Sequence, residues 1–509
     1  MLFLIKNQRF LWLKRVSVLS IGLTVSEPAI AQWEHPKRQL HGDMTLGYSI
    51  VPESVDTIEK MFSKGILYGR LRSHTFYWDW AQEDYRNGGS KKDNRVWGIG
   101  GSIEYKLARY YGLSATTALY GSFNPDFFQM SPSDIGYLKA GKDMLSRNLV
   151  KEDGSYLFYT VGKAFLEYSN SMIDIRAGRQ LFESMFTKSN DTKMIPNSFD
   201  GVTITAKIAP KTKVRAAYFT AQKLRDHENS HDVITFKNAA GESWANNDDS
   251  AVHRGLSYQA FEAAGEDTEH KLYLVDFRTT YIENMDLTLG YLQVPGVVKD
   301  FAIEAGYQMP LGESGWYMRP AFRYFLQYDD GGGKVAADTN LLGRPATPNG
   351  YAKRVADSMD SGLLNTRIDL ILPDHRGFFR AAYSGVADKA DIVAPWRGFP
   401  TGGYTRAMGQ YNWYANTKTY MLRVFYRFEE SLRGSLRYAI QDFDDRKDFV
   451  PADSRVWNLD VCYDIDEHFE VKFRTADVKA DKNTPKMHTG GVKIDTSYRE
   501  FRLEFNYLF

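Results

Sequence analysis

Apolar and polar positions alternate along most of this 509-residue chain. Near its end, Phe501, Leu503, Phe505, Tyr507 and Phe509 share one face, and Arg502, Glu504 and Asn506 share the other. A spacing of two is that of a strand with one apolar side. A soluble protein rarely ends on such a strand with that side uncovered. The closing strand of an outer-membrane barrel rests it on lipid and turns its polar side to a hydrated lumen. Read throughout for the same period, the chain predicts eighteen strands, at about 66–80, 96–108, 111–121, 155–168, 171–179, 201–209, 212–222, 269–280, 284–294, 298–309, 315–327, 360–371, 376–385, 417–429, 431–442, 454–463, 468–477 and 497–509. Most come close to the length that a tilted strand needs to cross a bilayer, about 9–11 residues.

The connections alternate between short and long. Tyr168-Ser169-Asn170, Pro210-Lys211, Pro373-Asp374-His375 and the region of Glu430 are tight, whereas 122–154, 180–200, 223–268, 328–359, 386–416 and 478–496 are long. Short turns on one rim and long loops on the other are the habit of outer-membrane barrels. One connection breaks the pattern, since Pro295-Gly296 falls on the long-loop rim and is short. The fold class predicted is therefore all-β, a transmembrane antiparallel barrel of about eighteen strands, with some loops folded inward to narrow the pore. In the first strand Arg70 and Arg72 share parity with Trp78 and Trp80, so a bulge is needed for those tryptophans to face lipid.

Strand parity also gathers arginines on the wet face. If 417–429 and 431–442 join through a tight turn at Glu430, Arg427 opposes Arg433 and Arg423 opposes Arg437. Directly opposed like charges destabilise a strand pair, so two such pairs in one hairpin point to a selected arrangement. Arg474 extends the row one hairpin further, and Arg323, Arg367 and Arg380 add inward guanidinium groups. Guanidinium stays charged and offers a planar fork to a carboxylate. A row of such forks lets an anion step between shallow sites, as conduction requires. The plainer reading is a hydrated wall balanced by Asp369, Asp460, Glu500 and Glu504.

Composition fits a membrane barrel and excludes several other classes. Aromatic residues make up 14% of the chain while mean hydropathy is −0.44, which suits aromatic girdles around a polar lumen. A single cysteine, Cys462, rules out a disulfide framework. A net charge of +1 gives no nucleic-acid affinity. Lys6, Arg9, Lys14 and Arg15, then the apolar 16–25, then Ala29-Ile30-Ala31, read as a secretory signal cleaved between Ala31 and Gln32. The predicted organisation is a signal over 1–31, an N-terminal segment over 32–64 leading into the barrel, and the barrel over 65–509. The site of action is then the outer membrane of a Gram-negative cell.

Two long loops, 180–200 and 386–416, mix aromatics, glycine, proline and polar residues, the composition of packed loops. The stretch Gly178-Arg179-Gln180, Ser189-Asn190-Asp191-Thr192 and Met194-Ile195-Pro196-Asn197-Ser198-Phe199-Asp200-Gly201 resembles a motif of the OprD family of substrate-selective outer-membrane porins. The resemblance extends through strand count and loop order over nearly the whole chain after the signal. It implies that these third and seventh external loops fold inward as an eyelet fed by a basic ladder. It also implies acidic or hydroxyl groups opposite the ladder, for which Ser189, Asp191 and Tyr404 are candidates, beside the basic Lys193, Arg397 and Arg406. Lys193 stands where the motif has arginine, and the loops near 223–268 and 328–359 are unusually long.

Rival readings are weaker. The chain lacks G-x-S-x-G, H-E-x-x-H and C-x-x-C, and Gly331-Gly332-Gly333-Lys334 lacks the rest of a phosphate loop. Asp442, Asp444, Asp445 and Asp448 lack an EF-hand pattern, which favours a plain hydrated loop over a Ca²⁺ site. The second class is a barrel that merely anchors adhesive surface loops. The first class predicts passive diffusion of small anionic or zwitterionic organic solutes, with no enzyme activity and no cofactor. Its partners are outer-membrane lipid and, through the closing strand, the barrel-assembly machinery. Apolar residues facing lipid or a second copy look alike, so a monomer and a loose trimer both fit.

Overall fold

The computed structural model describes residues 38–40, 46–48, 50–139, 141–191, 193–237, 255–336, 358–396, 403–408 and 414–509. The signal cleavage point at Ala31 and Gln32 and the loop residue Arg397 lie outside these.

Each period-two segment folds as a long strand. In chain order the barrel strands are β1 (Ile66–Trp80), β2 (Asn94–Lys106), β3 (Leu113–Phe123), β4 (Leu157–Ser169), β5 (Ile173–Gln180), β6 (Ser198–Ala209), β7 (Thr212–Lys223), β8 (Leu272–Thr279) and β9 (Met285–Val294). They continue as β10 (Val298–Tyr307), β11 (Tyr317–Asp329), β12 (Ser361–Ile371), β13 (Gly377–Val386), β14 (Lys418–Arg427), β15 (Leu432–Asp442), β16 (Ser454–Asp464), β17 (Phe469–Ala480) and β18 (Tyr498–Leu508). Each pairs antiparallel with the next, and β18 pairs back onto β1, from Tyr498 opposite Trp80 to Leu508 opposite Arg70. Phe509 and Gly69 exchange backbone hydrogen bonds of 2.8 and 3.0 Å at the seam. Closure pairs both edges of every barrel strand, which a hydrocarbon environment demands.

The pleat sorts the side chains. On β14 the outward Tyr420 and Leu422 are 49% and 62% exposed, while the inward Met421 is buried. On β18 Phe501, Leu503 and Tyr507 face out, and Glu500 and Glu504 are buried inside. Apolar outside and polar inside is the inverse of a soluble barrel, and it places lipid around this one. Turns such as 210–211, 372–376, 428–431 and 465–468 lie on one rim, and the long loops lie on the other. The β9–β10 link is short, as the sequence predicts.

The first strand departs from the sequence reading. Its registers with β2 and β18 contain no bulge. Trp78 and Trp80 therefore stay on the inward face with Arg70 and Arg72, and all four are buried. Trp78 stacks on Tyr498 at 3.7 Å between ring centroids, so these tryptophans pack within the barrel rather than in a girdle. The segment before β1 does more than lead into the barrel. Tyr48 stacks on Tyr68 of the inward wall at 4.0 Å, and the Tyr68 hydroxyl donates to the Ile50 carbonyl at 2.8 Å.

The outward face yields a direct test. Leu422→Lys at mid-strand lowers the unfolding free energy in lipid bilayers by about 2–4 kcal/mol. An unchanged value in urea titrations would mean that this face does not meet lipid.

Candidate functional site

The motif over 178–201 forms the neck of the third loop. Gly178 and Gly201 are register partners on β5 and β6, as are Arg179 and Asp200. Gly178 has φ +124°, and a Cβ there would sit 2.3 Å from the Ala164 carbonyl oxygen; one on Gly201 would sit 2.0 Å from that of Tyr218. The strands approach too closely for a side chain. Beside them Arg179 donates to both carboxylate oxygens of Asp200, at 2.8 and 3.0 Å, and to Ser230 at 2.7 Å. A bidentate pair fixes direction as well as distance, and it closes the neck.

From this neck, 181–191 and 193–197 run into the barrel. Asp191 reaches the wall of β1–β4, where Arg70 donates to its carboxylate at 3.1 Å and to the Tyr120 hydroxyl at 2.7 Å, and Arg72 donates to its carbonyl at 2.9 Å. Lys163 stands 4.0 Å away and pairs with Glu104 at 2.7 Å. Asp191 and Arg70 are only 1% and 2% exposed. Burial alone raises the Asp191 carboxyl, but Arg70, then Lys163 and Arg72, pull it below the usual carboxylate range. This places Asp191 as the seat of the loop and not as an open acceptor for a solute. Ser189 is likewise engaged: its hydroxyl and amide both donate to the Glu183 carboxylate within the loop. The roles expected of Asp191 and Ser189 from the sequence are corrected for one physical reason. A buried charge needs a partner, and the carboxylates of Asp191 and Glu183 already have theirs.

Lys193 continues along β1 to its seam with β18, where Phe76 and Arg502 are register partners. Its ammonium lies 5.1 Å over the Phe76 ring, whose other cation neighbour is Arg502 at 4.7 Å. Burial, then Arg502, lowers its amine to about 7, against opposing pulls from Glu504 and Asp143. The seventh loop, 387–417, meets the third where the Lys188 amide donates to the Trp396 carbonyl at 3.1 Å. Its inner part crosses to β11–β13. Tyr404 is buried with its ring 4.3 Å beneath the Arg367 guanidinium and 5.7 Å from Arg323. Thr405 bonds to Ser384 at 2.7 Å. Arg406 is exposed, and desolvation, then Arg474, Arg502, Arg225 and Arg437, lower its guanidinium to about 10, so it stands near the wall arginines. The two loops thus fold inward from opposite sides.

The wall arginines stand in the register the sequence predicts, Arg423 opposite Arg437 and Arg427 opposite Arg433, and Arg380 adds a third guanidinium on the other side of Arg423. Most are paired. Asp369 accepts from Arg380, and Asp460 from Arg437 at 2.5 Å and Arg474 at 2.9 Å. Glu304 holds Arg323, while Asp464 and Glu470 hold Arg433. Arg423 differs: its Nε donates to the Ser435 hydroxyl at 2.8 Å, and among the described residues it makes no ion pair. Arg427 is exposed at the short-turn rim. Arg367 and Arg380 share the one carboxylate of Asp369, and Arg437 and Arg474 that of Asp460.

Sequence reasoning passed over Arg502 and Arg70. Arg502 is the register partner of Arg474, and its parity with Glu500 and Glu504 was the signal. The acidic run after β15 is internally engaged: Asp444 pairs with Arg446 and Lys447, and Asp448 accepts the amides of Met487, His488 and Thr489. Cys462, Asp464 and Glu470 come together near the short-turn rim, but Arg433 occupies both carboxylates.

No family model matches the sequence, and no curated protein matches it. Solved structures do. Over 90% of this chain and 99% of its own, OccAB1 of Acinetobacter baumannii aligns with TM-score 0.65 at 13% identity. OccK8 (OprE) of Pseudomonas aeruginosa aligns over 88% and 99% with TM-score 0.62, also at 13% identity. OpdK of Pseudomonas aeruginosa, in a structure with vanillate, aligns over 87% and 98% with TM-score 0.58 at 14% identity. These are OprD-family outer-membrane porins, and this chain has their eighteen-stranded fold.

Two outcomes check this geometry. Asp191→Ala leaves Arg70 buried beside no carboxylate, a loss of about 3–5 kcal/mol, and frees the third loop, seen as larger single-channel conductance; unchanged conductance would remove Asp191 as the seat. Lys193 is charged below its lowered value and neutral above it. Anion preference in a KCl gradient therefore falls as pH rises through about 7, and Lys193→Arg abolishes that step. A step that persists in the variant belongs to another group.

Proposed function

We propose that this chain is a passive outer-membrane porin. It conducts small carboxylates, including amino acids, through a constriction between the third and seventh loops and the arginine wall. The observation that carries the reading is Arg423. It sits between two further guanidinium groups in one register row, its Nε is engaged by Ser435, and its terminal fork is left to an incoming anion. Neighbouring rungs are neutralised by acids, so no rung forms a well deep enough to trap the solute, which conduction requires. Passive diffusion asks for no energy source, cofactor or covalent step. The vanillate in the OpdK structure is a small carboxylate, and the shared fold makes the analogy reasonable. The barrel interior, the outward apolar belt and the inward loops all serve this reading.

In liposome swelling at low solute concentration, Arg423→Ala with Arg437→Ala cuts carboxylate flux about tenfold, since charge-assisted contacts contribute about 1.5–3 kcal/mol. A neutral sugar of similar size is barely affected. Equal losses for both solutes would reject the arginine role. Deleting 396–406 enlarges single-channel conductance, and no change would move the constriction elsewhere.

A further inference from the structure

The chain ahead of β1 crosses from the lumen to the lipid-facing side of the barrel. At its lumenal end Tyr48 stacks on Tyr68, which is buried on the inward face of β1 with Arg70 and Arg72. Further on, the Phe62 carbonyl accepts from the Tyr105 hydroxyl. Tyr105 belongs to the other face of the wall. It shares parity on β2 with the exposed Ile99 and Ile103, and its register partner on β1 is the exposed Leu67. The crossing runs past the short β2–β3 turn. There Ser54 and Val55 pair parallel with Arg109 and Tyr110, the Arg109 amide donates to the Glu53 carbonyl at 3.0 Å, and the Ala108 amide donates to the Met61 carbonyl at 3.0 Å.

Between the crossing and β1 lies a short helix, α1 (Ile58–Ser63). Thr57 caps it, its hydroxyl oxygen accepting from the Lys60 amide at 3.2 Å. Ile58 and Phe62, four residues apart, share one face, and they are 61% and 56% exposed. The other side is polar: Lys60 pairs with Asp56 at 2.8 Å, and Lys64 just beyond pairs with Glu53 at 3.8 Å. No residue of the helix is buried. So short a helix is marginal in water on its own, and its apolar face needs a partner. On the same rim Tyr111 is exposed at the tip of the β2–β3 turn, its φ of +47° fixing a bulky ring in the left-handed region.

We propose that α1 is an in-plane membrane anchor. Ile58 and Phe62 dip into the phospholipid leaflet at the short-turn rim, and the helix so clasps the segment ahead of β1 beneath that rim, with its lumenal end against Tyr68. The partner is lipid because the residue that holds Phe62, Tyr105, stands on the lipid-facing side, and the apolar belt of Leu67, Leu71 and Ile103 continues from it. Two side chains on a turn and a half fall far short of the roughly 1,200 Å² that a stable protein interface buries, whereas an interfacial helix needs only its apolar face sunk to the acyl boundary. The inference is independent of which solute crosses the channel.

The test places a nitroxide label on Ile58→Cys, Phe62→Cys and, for the polar side, Lys60→Cys, in nanodiscs of phosphatidylethanolamine with phosphatidylglycerol. Cys462 is buried, and the unaltered protein serves as the labelling blank. Oxygen, which partitions into lipid, relaxes the labels at 58 and 62 more than a water-soluble nickel chelate does, and the order reverses at 60. The oxygen-to-nickel ratio differs by about threefold or more between the two sides, as for a face sunk about 5–10 Å into the acyl boundary. Nickel access at 58 and 62 equal to that at 60 overturns the anchor. Access of neither reagent at 58 and 62 also overturns it, and would put a second copy or another protein on that face. If Phe62→Cys fails to assemble, judged by heat-modifiable gel mobility, Ile58→Cys is read alone. As a second readout, Ile58→Ser with Phe62→Ser speeds tryptic cleavage after Lys60 and Lys64 about tenfold or more, because the apolar side chains no longer hold the segment to the leaflet. Equal cleavage rates in the variant and the unaltered protein overturn the clasp.

Discussion

The backbone hydrogen-bond ladder is the constraint on which the rest depends. Hydrocarbon offers no partner to an unpaired amide or carbonyl, so the sheet must close on itself. Here it closes where β18 meets β1 and Phe509 meets Gly69. Closure fixes register, and register fixes which side chain stands beside which on the wall. The Arg380–Arg423–Arg437 row follows from that geometry and would dissolve with a one-residue slip.

The loops obey a second rule, that charge carried into the barrel must be met there. The third loop enters with Asp191 and finds Arg70, and it continues with Lys193 toward Phe76 and Arg502. The seventh enters with Tyr404 under Arg367. One loop is thus seated on β1–β4 and the other on β11–β13, and the arginine wall of β13–β18 remains between them. The same acids that allow like charges to stand in register, Asp369 and Asp460, keep most rungs shallow. Arg423 is set instead against the Ser435 hydroxyl.

Much of the fold was legible in the sequence, because outward residues must be apolar and inward ones need not be. The period of two therefore survives in segments as different as 66–80 and 418–427. The opposed arginine pairs were legible for the same reason, once a tight turn at Glu430 set the register. Side-chain partners were not. Nothing local tells Asp191 that Arg70, more than a hundred residues earlier, will neutralise it, and Ser189 gives no sign that Glu183 will take its hydroxyl. Trp78 and Trp80 misled for a related reason. Tryptophan favours membrane interfaces in general, but here loops cover the inward face of β1 and make it apolar enough to bury two indoles.

The central claim is a closed, hydrated, anion-favouring passage. The most direct measurement is the reversal potential of single channels of the purified protein in a planar bilayer under a KCl gradient. The account predicts discrete conductance steps whose reversal potential has the sign of chloride preference. Folded, heat-modifiable protein that gives no steps, or steps that favour potassium, would contradict it.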